Sequence, residues 1–146
     1  FGGRSEAALR RTARLGDGWL VSQAPPKEVN AGIRKIKAMA SEFGNPIEDD
    51  HYGVLLAFCL ADSAQEAESL ARPHLLKRRS DIPQAAFSSF GKPEALMDML
   101  DRYIEAGATK FVLRPSCPPA MMASQLEQLG CEIIPRYQQQ SDNSHG

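Results

Sequence analysis

Residues 52–60, YGVLLAFCL, hold no charged or strongly polar side chain, and this run constrains the fold more than any other feature. A strand with one face in water alternates polar and apolar residues. An unbroken run fits a strand buried on both faces, as parallel sheets require. Parallel strands need crossover connections, and the flanking segments supply them. Val29, Ile33, Ile36, Ala40 and Phe43 recur at helical spacing, a one-sided stripe facing a core. Gly44, Asn45 and Pro46 end that helix, which is expected over residues 27–43.

The other elements follow from caps and breakers. Ser5 is a good N-cap for a helix over 5–15, whose narrow face is Ala8, Leu9, Thr12 and Ala13. Gly16, Asp17 and Gly18 turn the chain into a short strand at 19–22. Asp62 and Ser63 cap a helix over 64–76. Residues 77–91 have no period and read as a long loop, with Lys77, Arg78 and Arg79 as a solvated cluster and an anion site as the lesser alternative. Pro93 opens a helix with Leu96, Met99, Leu100, Tyr103 and Ile104 as its buried face, closed by Gly107. A strand is expected at 110–113, and a helix from about Ala120 to Cys131 or a little beyond. Residues 1–137 then form one α/β unit, and 138–146 a disordered polar tail.

Three parallel strands with about five helices make neither a closed barrel nor a comfortable doubly wound sheet. The strands should pair in sequence order and leave apolar edges open. With helices on one side only, the other face would be bare. The expectation is therefore a partial barrel, the C-terminal part of something larger, that self-associates through an interface centred on Val54, Leu56 and Phe58.

Composition narrows the function classes. The 17 Lys and Arg residues against 18 Asp and Glu give a net charge of -1, which argues against nucleic acid and anionic lipid as partners. The longest apolar run, residues 53–61, is far short of a membrane helix, so no membrane partner is expected. Cys59, Cys117 and Cys131 form no CxxC pair, and His51, His74 and His145 fit no metal-binding motif. Reduced thiols, a cytoplasmic location and no metal are the expectation.

Gly2, Gly3, Arg4 and Ser5 run directly into the first helix. Glycines let backbone N–H groups approach a ligand, and a helix N-terminus adds free donors and partial positive charge. That combination suits a phosphate, although capping alone also accounts for Ser5. Taken whole, GGRSEAALRRTARLGDGWL resembles the phosphate-binding stretch of bacterial-luciferase-like, flavin- or deazaflavin-dependent oxidoreductases. The likeness continues through PKEVNAGIRKIKAMASEFG, GVLLAFCLADSAQEAESLA and FGKPEALMDMLDRYIEAGATKFVLRP, to about Tyr137.

The resemblance implies a TIM barrel of which this chain holds the counterpart of strands six to eight, a full barrel needing about 250 residues. It implies FMN or a deazaflavin as cofactor, with the phosphate met by Gly2, Gly3, Arg4 and Ser5. Some relatives carry a hydroxyl one helical turn later, where this chain has Ala8. The resemblance also implies that Arg114, at the end of the last strand, meets a phosphorylated substrate; a surface cation is the plainer alternative. Trp19 is expected in the core against the first helix, Cys59 buried and inert, and Cys117 exposed in a proline-rich loop. Arg10, Arg11 and Arg14 read as a solvated helix face. No residue is assigned as general acid or base. The implied activity is hydride transfer or monooxygenation at a reduced flavin, absent in the chain alone. The alternatives are a non-catalytic, self-associating α/β remnant and a simple phosphate-binding module.

Overall fold

The structure, a computed structural model, describes residues 1–76 and 79–142, with side chains through Gln138. The elements in chain order are α1 (Glu6–Leu15), β1 (Trp19–Ser22), α2 (Pro26–Phe43), β2 (Tyr52–Leu60), α3 (Ala64–Ala71), β3 (Ser88–Gly91), α4 (Pro93–Glu105), β4 (Lys110–Pro115), α5 (Met122–Gln128) and α6 (Ile134–Asp142). One π turn, Leu129–Ile133, joins α5 to α6, so these two make a single continuous helix. Pro135 has no N–H to give the preceding turn, and the ladder widens just before it. The described helix thus extends into the stretch expected to be a polar tail; residues 143–146 lie outside the described residues.

The apolar run becomes the central strand. β2 pairs in parallel with β1 at Tyr52–Leu55 and with β4 at Gly53–Phe58, so β1, β2 and β4 stand in sequence order as expected. The expected loop contains an additional strand. β3 pairs in parallel with β2 at Ala57–Leu60. Because β4 fills one edge of β2, β1 and β3 lie end to end along the other.

Alternation on β2 assigns its two faces. Val54, Leu56 and Phe58 point to the helices and are buried with Ile33, Ile36, Leu96 and Leu100. The opposite face carries Leu20 and Ser22 from β1, Leu55 and Ala57 from β2, and Val112 and Arg114 from β4, by register. Leu20 and Val112 are exposed. The expected bare patch exists, but it is not centred on Val54, Leu56 and Phe58: those residues are the core. An all-apolar run has no alternation to say which parity meets the helices.

Two polar contacts finish the sheet. Beyond the end of β4, the Gln125 amide takes over as a strand would: its Oε1 accepts from the Leu60 N–H at 2.7 Å and its Nε2 donates to the Leu60 carbonyl at 2.8 Å. Buried Tyr103 donates its hydroxyl to the Ala24 carbonyl at 2.7 Å and so pins the turn after β1. α3 stops at Ala71, short of the expected 76, where Pro73 lies in a tighter turn. Among the described residues no helix is long and apolar enough to cross a membrane.

Candidate functional site

Residues 2–5 run beside β1 towards the carboxyl ends of the strands, the side on which parallel sheets bind ligands. Phe1 is laddered to β1: its amino group donates to the Gly18 carbonyl at 3.0 Å and its carbonyl accepts from the Leu20 N–H at 2.8 Å. The path then requires glycine twice. A Cβ at Gly2 would lie 2.9 Å from the Leu20 oxygen. Gly3 has φ +102, and a Cβ there would meet the Ala8 Cβ at 2.8 Å. The Gly3 carbonyl is held by the Trp19 indole N–H at 3.0 Å. Ser5 caps α1 as expected, its hydroxyl accepting from the Ala8 N–H at 3.2 Å. That leaves the hydroxyl proton and the N–H groups of Glu6 and Ala7, which have no intrahelical acceptors, for an anion. Geometry and donor set fit a phosphate group.

One side of this cradle is electrically balanced by residues that periodicity does not reveal. Arg4 stands 3.9 Å from Glu28, on the first turn of α2. Arg79 grips the same Glu28 with two hydrogen bonds, at 2.7 and 3.0 Å. It also donates to the Gln23 carbonyl at 3.0 Å and to both carboxylate oxygens of Asp81. The Arg79 side chain is 10% exposed, so it is a partly buried ion-pair hub and not part of a solvated cluster. Lys77 and Arg78 lie outside the described residues. The hydrogen bonds from Arg79 hold the Asp81 carboxyl down at about 2, and the acceptors raise the Arg79 guanidinium further in turn. Gln23 adopts φ +54, the single described non-glycine residue in the left-handed region, and its carbonyl is the one Arg79 takes.

Residues 1–108 match the family described as luciferase-like monooxygenase, which is well over half of the chain. The chain belongs to this family. Solved structures agree on the fold. The coenzyme F420-dependent tetrahydromethanopterin reductase from Methanopyrus kandleri is 20% identical with a TM-score of 0.65, over 92% of this chain and 49% of that one. The monooxygenase RslO1 from Streptomyces bottropensis is 17% identical with a TM-score of 0.66, over 93% and 46%. The oxygenating constituent of 3,6-diketocamphane monooxygenase from Pseudomonas putida, solved with FMN, is 15% identical with a TM-score of 0.63, over 92% and 46%. The luciferase-like chain thus spans less than half the length of each of these structures. A search of curated proteins finds no match. The α/β arrangement of parallel strands fits part of a TIM barrel.

In this luciferase-like chain Arg114 reaches across from β4 and donates to the His74 carbonyl at 2.7 Å. It lines a small cavity of about 20 Å³ with Ser22, Leu55, Ala57, Gln84 and Ser88. The Gln84 amide donates to the Ser88 hydroxyl at 2.8 Å, and its own buried oxygen has no partner among the described residues. Cys59 is buried, and burial, then neighbouring Cys117 and Glu66, push its thiol up to about 11. Cys117 is also buried, not exposed, and burial raises its thiol as well. Both are poor nucleophiles. Trp19 packs on Gly32 of α2, where a Cβ would meet the ring at 2.5 Å, in addition to holding Gly3. Glu48, Asp50 and His51 bring three ligand atoms within 4.8 Å of one another, but Asp50 already pairs with Lys110 at 3.5 Å and with His51 at 3.6 Å.

Proposed function

We propose that this chain is the C-terminal portion of a luciferase-like oxidoreductase or monooxygenase and supplies its cofactor-phosphate loop. The observation that carries this reading is the cradle of residues 2–5: two sterically required glycines, a capped helix start and an arginine, beside a strand end, in a chain of this family. FMN or a deazaflavin coenzyme would supply the hydride or oxygen chemistry when bound. Gly2 and Gly3 give it close approach, Arg4 and Ser5 offer their N–H groups, and the Ser5 hydroxyl donates to a phosphate oxygen. Arg114 is assigned to an anionic substrate group at the small cavity. Free thiols fit a cytoplasmic setting. The described residues form a four-stranded sheet where a full barrel has eight strands, so the chain alone should have no flavin-dependent turnover.

Fluorescence titration with FMN tests the assignment. Ser5→Ala is expected to weaken binding by about 1 kcal/mol, the net value of one hydrogen bond. Equal affinities of the parent and the variant would overturn the role of Ser5.

The exposed sheet face favours a second reading, a self-associating α/β remnant without redox function. Leu20, Leu55 and Val112 would be its contact surface, in place of the core residues expected from the sequence. Absence of FMN binding together with a stable dimer would select that reading.

A further inference from the structure

We infer that Arg79 is a positioning residue for anion recognition, keeping Arg4 available to the phosphate by holding Glu28 and Asp81. The inference rests on the assignment of residues 2–5 as the phosphate cradle, extends the part of Arg4 there from its backbone N–H to its guanidinium, and adds a residue from a distant segment.

The contacts divide unequally. Arg79 donates to Glu28 at 2.7 and 3.0 Å, while Arg4 approaches Glu28 no closer than 3.9 Å. Every N–H of the Arg79 guanidinium is spent: on Glu28, on Asp81 and on the Gln23 carbonyl. Arg79 therefore has nothing left to offer a ligand. What it supplies is neutralisation and geometry. Bidentate pairing ties the Glu28 carboxylate to Arg79 and leaves Arg4 only a 3.9 Å ion pair with it. Arg4, with its side chain 38% exposed, keeps donors free to turn to an anion.

Charge counting leads to the same conclusion. With Arg79 in place, two guanidiniums meet two carboxylates and the group is neutral. Without it, one guanidinium faces two carboxylates. Glu28 would then capture Arg4, and a net negative charge would stand beside the place where a dianion must bind. A phosphate would have to compete with a carboxylate for Arg4 and approach against repulsion.

Calorimetric titration with inorganic phosphate and with FMN, at low ionic strength, tests this. Arg79→Gln is expected to weaken binding about five-fold, the scale of one partly screened charge acting on a dianion. Adding Glu28→Gln and Asp81→Asn to that variant should restore affinity to within about two-fold of the parent, because the repelling carboxylates are gone. If Arg79 only anchors its own segment, the triple variant stays as weak as the single one, and the inference is overturned. Glu28→Gln alone, with Arg79 kept, serves if Arg79→Gln does not fold. It should tighten phosphate binding, and unchanged or weaker binding would also overturn the inference. A parent chain that binds neither phosphate nor FMN would bring down the cradle assignment itself. A parent that binds, with an Arg79→Gln variant that binds equally, would bring down the role of Arg79 alone.

Discussion

On the helix side of the sheet, Val54, Leu56 and Phe58 are at most 2% exposed; on the other side, Leu20 is 44% and Val112 47% exposed. The same strands present both faces. The difference lies in what covers them. Right-handed crossovers put their helices on one side while a sheet grows in one direction, and on the other side where it turns back, as it does from β2 to β3. α2 and α4 therefore pack on Val54, Leu56 and Phe58. α3 packs its Ala67 and Ala71 against Cys59 and Phe90 at one end of the opposite face and leaves Leu20 and Val112 bare. Cover for those two must come from further strands or from another molecule, and side chains waiting for that cover contribute little to the stability of this chain by itself.

The largest expected effect falls on the covered face. Phe58→Ala should cost about 3–5 kcal/mol in urea unfolding, from lost burial and the cavity left behind. A loss below about 1 kcal/mol would erase the distinction between the faces. An intermediate effect is expected where the sheet is completed by a side chain. Gln125→Ala strands the N–H and carbonyl of Leu60 and should cost about 1–3 kcal/mol. Amide exchange at Leu60 should quicken with it; unchanged protection would show that the Gln125 contact does not hold that strand end. The smallest effect belongs to the bare face. Val112→Lys should leave unfolding stability within about 0.5 kcal/mol. If the face is used for self-association, the same variant lowers the mass seen by light scattering across a dilution series. A large stability loss without a change in mass would mean that Val112 is covered within one chain.

The candidate site was legible to different depths along its length. Gly2, Gly3 and Ser5 are visible as a local pattern, because steric demand and capping act within a few residues. Trp19 is visible as an aromatic core residue, but not as the donor that fixes the Gly3 carbonyl. Arg79 was hidden. In the sequence it stands in a run of cations that reads as solvated, and its partner Glu28 is 51 positions away. Charge pairs at that distance leave no periodicity. β3 was hidden for a related reason. Ser88 and Ser89 carry no β pattern, and the strand forms because β1 ends at Ser22 while β2 continues to Leu60 and has unpaired backbone groups to satisfy.

What the sequence by itself determined is local. The apolar run made β2, helical stripes and caps made α1, α2 and α4, and alternation of the two made a parallel α/β sheet in order β1, β2, β4. Each of these depends on interactions between residues close along the chain, or on a rule of handedness. Only the tertiary structure decided which parity of β2 faces the helices, since every residue of that run is compatible with burial. It also decided that Cys117 is buried, that Gln125 acts as a strand end, and that Arg79 and Arg4 meet at Glu28. These outcomes depend on distance in space, which folding sets after the local elements exist.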